Sequence, residues 1–404
     1  MATQALAGSD DPLLKWRREF PILERKKGYL INNSLGAMPR QVYQELASYA
    51  DAWANEGVLA WHHWLPMVTE TADLLGGVLN APPGSIMMHQ NVSTLTALLI
   101  SGLEFRPEKN RVVLTELNFP SVVYNWIAQE KRGAKVVAVP SRDGGLNVET
   151  EDLLGAIDDR TIAVALDLVL FRSSGLIDAR AVIDKAQRHG AIVILDAYQA
   201  VGAVPIDVQQ LGVDFLIGGS VKWLCGGPGA AYLYARKDWI DRFEPLMTGW
   251  FSDKSPFEFR FGPIDYAEDI HRFMGGSPSV PALYAARAGY RIIREVGVGA
   301  IRDKSLRQTS LLISLADEQG LSVNTPRAPE RRGGTICIDF EGSEDCSRRL
   351  IERGFIIDWR PRGGIRISPH FYNSDDECRA IMEEIRQLRA SGTLEPSLSG
   401  PRLH

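Results

Sequence analysis

The sequence has few cysteines and no long apolar run. Only four of its 404 residues are cysteine, and their positions show no paired spacing. We therefore predict neither a disulfide framework nor a zinc or other metal site, and a reducing cytoplasm is the simplest location. No apolar stretch approaches the roughly 20 residues that a membrane-spanning helix needs. The start of the chain also lacks the basic-then-apolar pattern of a signal peptide, so we predict a cytoplasmic protein without a membrane partner.

Charge and glycine patterning argue against two further classes of protein. The net charge is −5 and there is no long basic run, so nucleic acid is not an expected partner. No Gly-x-Gly-x-x-Gly lies between an early strand and a helix, which discounts a dinucleotide-binding enzyme. The composition is otherwise that of an ordinary globular enzyme, 45% hydrophobic and 24% charged. A chain of this length can bury a large core and divide into two or more domains.

Short β-branched runs bounded by turn residues alternate with helical patterns along most of the chain. The runs that predict strands are residues 111–116, 136–139, 161–167, 191–195, 213–217 and 230–234. This alternation predicts an α/β fold with a mostly parallel, doubly wound sheet. We expect an N-terminal arm over residues 1–40, a large domain over 41–280 and a smaller C-terminal α+β domain over 281–404. The last residues, from Ser391, are predicted to form a loose tail.

The segment of residues 190–229 carries an acid and an amine at neighbouring strand ends. Asp196 ends its first strand, and Lys222 lies in the glycine-rich turn after its second. Ligands of open α/β sheets bind at the carboxyl ends of strands, so both side chains are expected at one rim. Such a pair holds pyridoxal phosphate, because the lysine forms a Schiff base with the aldehyde and the aspartate pairs with the pyridine nitrogen. The flanking glycines favour this interpretation over a structural Asp and a surface Lys.

Other positions fit a planar, phosphate-bearing cofactor. Ser93 and Thr94 begin a helix, where hydroxyl and free N–H groups bind phosphate, although helix capping explains them equally well. Phe119 follows a strand, and it is either a stacking ring or an ordinary core residue. Arg366, in a short Ile-Arg-Ile strand, is a candidate to bind a substrate carboxylate through two nitrogens, and a surface arginine is the simpler alternative.

Several short motifs occur in a characteristic order. They are Asn33-Ser34-Leu35-Gly36 with Pro39, Asn118-Phe119-Pro120, Ala203-Val204-Pro205-Ile206-Asp207, Gly226-Gly227-Pro228-Gly229, Gly249-Trp250, and Gly364-Ile365-Arg366-Ile367-Ser368-Pro369 with Phe371-Tyr372-Asn373. Together they resemble the class V aminotransferase superfamily of pyridoxal-phosphate enzymes with fold type I, and within it the kynureninases most closely. The resemblance extends from about Tyr29 to the last helix.

The resemblance implies a role for each of these positions. Lys222 and Asp196 would be the catalytic pair. The remaining cofactor contacts would be Ser93, Thr94, Phe119, Asp167, Gln199 and Ser277, the last supplied by the partner subunit of a homodimer with active sites at its interface. The substrate contacts would be Asn33, Ser34, Trp250 and Arg366.

The chain departs from the kynureninase pattern at several of these positions. Gln199 stands where kynureninases have histidine, and Val221 replaces a tyrosine that binds phosphate and transfers protons. Asp167 stands where a neutral polar residue is usual. Glutamine at position 199 is similar to the pattern of cysteine desulfurases and related epimerases. A desulfurase also needs a reactive cysteine on a mobile loop, and Cys346 is the nearest candidate, although its acidic neighbours oppose thiolate formation.

We predict a pyridoxal-phosphate enzyme that acts on a small α-amino acid and, like the kynureninases, cleaves a bond at the β-carbon. Lys222 would be the base and Arg366 would hold the carboxylate, in a pocket with aromatic walls from Trp61, Trp64, Trp250 and Phe251. The alternatives are an aminotransferase, an epimerase, a C–S lyase or desulfurase, or a decarboxylating oxidase. A third class, a ligand-binding relative without catalysis, is disfavoured by the intact pair of Asp196 and Lys222.

Overall fold

The computed structural model describes residues 11–396, so the first residues of the predicted arm and the end of the predicted tail lie outside it. The strands are β1 (Gly28–Tyr29), β2 (Ile86–His89), β3 (Arg111–Thr115), β4 (Lys135–Val139), β5 (Thr161–Asp167), β6 (Ile192–Asp196), β7 (Phe215–Gly219), β8 (Ala231–Ala235), β9 (Ser322–Val323), β10 (Ile336–Asp339), β11 (Phe355–Ile356), β12 (Asp358–Arg360) and β13 (Gly364–Ile367).

The α-helices of the same part are α1 (Val42–Glu56), α2 (Trp61–Leu79), α3 (Val92–Ser101), α4 (Pro120–Ile127), α5 (Thr150–Ala156), α6 (Ala179–Arg188), α7 (Val208–Leu211), α8 (Lys237–Arg242), α9 (Val280–Val296), α10 (Val298–Glu318), α11 (Ser343–Glu352) and α12 (Asp375–Ala390). Short 3₁₀ helices occupy Pro12–Glu19, Pro21–Glu24, Gly57–Ala60, Ala128–Arg132, Trp250–Ser252, Pro256–Glu258, Ile270–Phe273 and Pro329–Arg331. None of the helices in residues 11–396 is long and apolar enough to cross a membrane.

A seven-stranded sheet forms the centre of the larger part of the fold. Its strand order is β2-β8-β7-β6-β5-β3-β4, and β8 alone runs antiparallel to its neighbours. Strands of a parallel sheet are covered on both faces, which explains why the predicted strands are continuous apolar runs rather than alternating ones. The predicted α/β fold with a mostly parallel sheet is confirmed, whereas β2 was not predicted from the sequence.

The C-terminal part contains a four-stranded antiparallel sheet with the order β12-β13-β10-β9. Its apolar core includes residues of α10, α11 and α12, which gives this part the predicted α+β character. The strand β1 pairs in parallel with β11, and Leu30 belongs to the same core. The beginning of the described chain is therefore attached to its C-terminal part. The domain boundaries near residues 40 and 280 stay predictions.

The turn after β7, which carries Lys222, is held from two sides. The N–H of Gly36 donates to the carbonyl of Val221 at 2.8 Å, so the N-terminal segment fixes one side. On the other side Ser220 forms a hydrogen bond with the hydroxyl of Tyr290 in α9. The helix α9 itself packs against α1 and α2. These contacts give the turn a fixed position at the carboxyl end of the sheet.

Gly289 of α9 faces this turn so closely that an added β-carbon would overlap the carbonyl oxygen of Leu224. We expect Gly289→Ala to lower the free energy of unfolding by about 2 kcal/mol, because overpacking forces the backbone apart. The matched control is Gly299→Ala in α10, where nothing lies within 4 Å of the added atom. Thermal unfolding followed by circular dichroism measures both, and equal midpoints for the two variants would contradict this account of the contact.

Candidate active site

The carboxyl ends of the central strands border a cavity of about 240 Å³. Six of the eight residues predicted to contact the cofactor line it, namely Ser93, Phe119, Asp167, Asp196, Gln199 and Lys222. The two that do not are Thr94 and Ser277. The strand-end argument made from the sequence therefore brings the acid and the amine into one cavity.

The amino group of Lys222 lies close to two aromatic rings. Its Nζ atom is 5.7 Å from the ring centroid of Phe119 and 4.5 Å from that of Tyr198. Burial lowers the pKa of this amine to about 8, although the Asp196 carboxylate acts in the opposite direction. Part of the population is therefore uncharged near neutral pH. An uncharged amine can bond to an aldehyde and can accept a proton, and both abilities are needed by a catalytic lysine.

Two buried carboxyl groups lie side by side where β5 and β6 end. Asp167 and Asp196 are direct partners in the register of these parallel strands. Burial raises the pKa of Asp196 to about 6, while the N–H of Tyr198, which donates to it at 2.8 Å, and Lys222 favour its charged form. Burial, and then the charge of Asp196, raise the pKa of Asp167 further. Asp196 is therefore the first of the two to ionise.

Asp167 fixes the position of the turn that carries Phe119. One carboxyl oxygen accepts from the Asn118 side chain at 2.7 Å, and the other accepts from the N–H of Phe119 at 2.9 Å. The Phe119 ring is 43% exposed and meets the ring of Phe171 edge to face at 5.3 Å. A partly exposed ring held at a cavity wall is available for a planar ligand.

The first turn of α3 forms the wall on which a phosphate is expected. Asn91 caps the helix, because its side-chain oxygen accepts from the N–H of Thr94 at 2.9 Å and from the Thr94 hydroxyl at 3.0 Å. Asn91 and Ser93 line the cavity, whereas Thr94 does not. The positive end of the α3 dipole thus borders the cavity, and such ends favour anions.

Gln199 connects the cavity to the N-terminal segment. Its amide nitrogen donates to the carbonyl of Asn33 at 2.9 Å, and its oxygen accepts from the Trp223 indole at 3.3 Å. In the orientation that satisfies its neighbours, the Asn33 amide donates to the Ser368 hydroxyl and turns its oxygen to the Arg366 guanidinium, at 3.1 to 3.2 Å. Asn33 therefore contacts both a cavity residue and the predicted carboxylate-binding arginine.

Arg366 is buried, which excludes the surface alternative. Its side chain is only 4% exposed, and its Nε atom donates to Asp358 at 2.8 Å, directly across the hairpin of β12 and β13. A terminal nitrogen donates to the carbonyl of Phe171 at 2.7 Å. The charge of Arg366 is thus balanced within the chain, although its field still lowers the pKa of Lys222.

None of the four predicted substrate contacts lines the cavity, and neither do Thr94 and Ser277. Asn33 and Arg366 reach it only through Gln199 and Phe171, while Trp250, Ser277 and Ser34 lie farther from these contacts. Trp250 packs with Phe251, Phe257 and Phe259 in a separate aromatic group. Ser277 is exposed after two glycines, and Ser34 lies in a turn where its N–H donates to the carbonyl of Ile31. Their predicted roles stay predictions.

The aromatic walls differ from those expected. Trp61 and Trp64 pack against each other, and neither they nor Trp250 and Phe251 line the cavity that contains Lys222. Its aromatic lining consists of Phe119, Phe171 and Tyr198. No role was predicted from the sequence for Tyr198, Asn118 or Phe171. Tyr198 and Asn118 lie in motifs that hold predicted site residues, Asp-Ala-Tyr-Gln and Asn-Phe-Pro, and this position could have indicated them. Nothing in the sequence around Phe171 indicated that it lines the cavity.

The cysteines lie in the interior of the protein. Cys346 lies inside α11 and is fully buried, and burial together with Asp345 raises the pKa of its thiol to about 12. It is therefore not a thiol on a mobile loop, as a desulfurase would require. The other three cysteines are buried as well. Among residues 11–396, no three His, Cys, Asp or Glu side chains are arranged to hold a metal ion.

Asp358→Asn leaves the buried guanidinium of Arg366 without a balancing charge. We expect the free energy of unfolding to fall by about 3 kcal/mol, because removing one partner of a buried ion pair leaves the other uncompensated. The control is Asp317→Asn, which breaks an exposed pair with Arg327 and should change stability by less than about 1 kcal/mol. Urea unfolding measures both, and similar losses would show that Arg366 does not depend on Asp358.

Known proteins share both the sequence pattern and the fold. The family described as Aminotransferase class-V matches residues 28–378. The chain is 30% identical to the uncharacterized aminotransferase YcbU of Bacillus subtilis, over 92% of this chain and 96% of that protein. It is 27% identical to a kynureninase of Geobacillus thermodenitrificans, over 94% and 92% of the two chains. A kynureninase of Deinococcus radiodurans is 30% identical over 92% of each.

Two solved structures illustrate the shared fold. A cysteine desulfurase from Thermococcus onnurineus has a TM-score of 0.83 at 21% identity and covers 96% of this chain and 100% of its own. The cystine C–S lyase C-DES has a TM-score of 0.81 at 19% identity, over 91% and 98% of the chains. The likeness at these identities concerns the fold alone. The predicted superfamily, fold type and cofactor are confirmed: the chain belongs to the class V aminotransferase family and is a pyridoxal-phosphate-dependent enzyme that acts on an amino acid.

Proposed function

We propose that this enzyme cleaves a bond at the β-carbon of a small α-amino acid, as the kynureninases do. The observation that carries the proposal is the buried amine of Lys222, which has a lowered pKa and shares one cavity with the Asp196 carboxyl. The similarity to kynureninases over about nine-tenths of the chain supports it.

The residues of the cavity fit pyridoxal phosphate. Lys222 would bond to its aldehyde, Asp196 would lie beside its ring nitrogen, and Phe119 would stack on its ring. Ser93 and the first turn of α3 offer the positive helix end that a phosphate requires. When bound, the cofactor supplies an electron sink for the carbanion formed at the substrate α-carbon.

The protein groups around this position hold charge and protons where the reaction needs them. Asp196, charged near neutral pH, would keep the ring nitrogen of a bound cofactor protonated. The amine of Lys222 would accept the α-proton of the substrate. Asp167 holds Phe119 in place through the N–H of its turn. Arg366 does not itself line the cavity, but Asn33 connects it to the cavity residue Gln199. Fixed by Asp358 and the Phe171 carbonyl, its guanidinium would bind the substrate carboxylate.

Two residues separate this enzyme from the kynureninase pattern. Val221 has no group that can transfer a proton, and the amide of Gln199 replaces an imidazole and already binds Asn33 and Trp223. A substrate whose cleavage needs neither a phenol nor an imidazole at these positions fits best. Kynurenine is therefore one member of the substrate panel below rather than the assumed substrate.

Transamination is the second candidate. It is favoured by the name of YcbU, an uncharacterized aminotransferase with 30% identity to this chain. The two reactions differ in their products, because transamination yields a 2-oxo acid and consumes a second one, whereas β-cleavage releases part of the substrate side chain. Mass spectrometry of the reaction mixture separates them.

We also propose a homodimer in the cytoplasm. The exposed side chains of Phe257 and Phe259 pack beside Trp250, and Phe261 nearby in the sequence is exposed as well, so this segment presents apolar surface to a partner. The predicted site residues Trp250 and Ser277 lie away from the cavity of their own chain, and a second subunit would give them a cavity to contact. The cytoplasmic location is supported by four free cysteines.

The absorption spectrum of the purified enzyme tests the proposed function. We expect a visible band from the bound cofactor that is lost or shifted in Lys222→Ala, because the amine that bonds to the aldehyde is gone. A panel of amino acids that includes kynurenine and cysteine is then added, and the compound that alters the wild-type band and loses a side-chain fragment is the substrate. A protein that stays colourless with added pyridoxal phosphate would contradict the assignment.

The pKa of Lys222 predicts how cofactor attachment depends on pH. A lysine whose pKa is lowered from 10.5 to about 8 becomes uncharged, and so reactive, on raising the pH through about 8. The rate at which cofactor-free protein takes up pyridoxal phosphate, trapped with borohydride and located by peptide mass spectrometry, should rise to a plateau above this pH. Asp196→Asn removes a charge that raises this pKa, so its midpoint should move to lower pH. A wild-type rate that still climbs beyond pH 10 would contradict the burial argument.

A further inference from the structure

Two arginines without an acidic partner converge beside the active-site cavity. Arg172 lies in the segment after β5, and Arg362 lies at the tip of the hairpin between β12 and β13. Both guanidinium groups approach Gly145, where an added β-carbon would lie 3.3 Å from Nη1 of Arg172 and 3.1 Å from Nη1 of Arg362. In the described part of the chain, no carboxylate oxygen lies within 4.0 Å of either group.

The side chain of Arg172 is held by two contacts, although the positive charge of Arg362 lies nearby. Its Nη1 atom donates to the carbonyl of Gly145 at 3.0 Å, and its guanidinium lies 5.3 Å from the ring centroid of Phe171. Burial, and then the charge of Arg362, lower the pKa of Arg172, and Glu116 opposes this only from a distance. A fixed cation that faces another cation gains most from an anion placed between them.

Arg362 adopts a backbone conformation that arginine does not favour. Its φ angle is +67°, in the left-handed region, within a tight turn closed by the N–H of Gly363 on the carbonyl of Arg360 at 3.0 Å. A residue with a β-carbon is strained in this region, where glycine is not. Such strain is concentrated at functional sites.

The acid of the same hairpin, Asp358, does not neutralise Arg172 or Arg362. Asp358 already pairs with two arginines, because it contacts Arg366 and lies 3.2 Å from a terminal nitrogen of Arg360. Asp358 is therefore occupied by Arg366 and Arg360, and it forms no ion pair with Arg172 or Arg362. The carboxylate of Asp143, in the loop of Gly145, accepts from the N–H groups of Leu146 and Asn147 instead.

Phe171 joins this pair to the cavity. Its ring lines the cavity and carries Arg172 on it, while its carbonyl accepts from Arg366. We propose that Arg172 and Arg362 bind a second anionic group at the far end of the substrate, so that the enzyme acts on an acidic amino acid. This inference rests on the proposed function, because it assumes that Arg366 holds the α-carboxylate of the same molecule.

The test compares acids with their amides. The holoenzyme is titrated with glutamate and glutamine, and binding is followed by the change in the cofactor band. We expect the acid to bind at least about tenfold more tightly, which corresponds to about 1.4 kcal/mol. This preference should disappear in Arg172→Gln and in Arg362→Gln, and return in Arg362→Lys, while the affinity for glutamine stays unchanged. The control is Arg386→Gln, an exposed arginine paired with Glu383 in α12, which should keep the preference.

A second measurement does not depend on catalysis. Calorimetry with glutarate, which has no amino group, should show binding to the wild-type holoenzyme that weakens about tenfold in the Arg172 and Arg362 variants. An equal ratio of acid to amide affinity in all proteins would overturn the inference and leave the proposed function intact. Binding of a glutamate-rich peptide through the two arginines without binding of glutarate would also overturn it, in favour of an acidic protein partner. Glutarate binding without any response to amino acids would support the anion site and contradict the proposed function.

Discussion

The burial of one amine beside one carboxyl is the constraint on which the rest of the structure depends. In water the ammonium group of Lys222 would hold its proton firmly, and burial makes the uncharged form accessible. Burial requires that the turn after β7 be covered, and the N-terminal segment, α9 and the rings of Phe119 and Tyr198 all contribute to this cover. The small residues in the turn are the means by which these elements approach closely enough.

The acids and the arginines around the cavity come from different elements of the fold. The two acids come from the ends of neighbouring parallel strands, where the sheet is rigid and water is excluded. The arginines come from the segment after β5 and from the hairpin of the small antiparallel sheet. Asn33 connects the two groups, because its carbonyl accepts from Gln199 and its side-chain oxygen faces Arg366.

The fold and the cofactor site followed from local patterns, because apolar runs, turn glycines and strand-end acids leave a trace in consecutive residues. Asp196 and Lys222 could be expected at one rim because parallel strands end at one edge. The pairing of Asp358 with Arg366 left no such trace, since a single acid on a short strand gains its meaning only when the hairpin forms. The burial of Cys346 and the distance of Trp61 and Trp64 from the cavity likewise depend on how helices pack against each other, which their own sequence does not encode.

The contact between the N-terminal segment and the residue after β13 has a consequence for synthesis. Asn32 binds the carbonyl of Ser368, a residue 336 positions later in the chain, and β1 pairs with β11 rather than with any strand near it. Residues 196–222, which the N-terminal segment also contacts, leave the ribosome well before Ser368, so the contacts of this segment with the C-terminal part form last. Closing such a long loop costs conformational entropy, and the contacts that offset this loss form only when the whole chain has been made. The enzyme is thus completed from its two ends, and a nascent chain released early would possess the lysine but not the wall that encloses it.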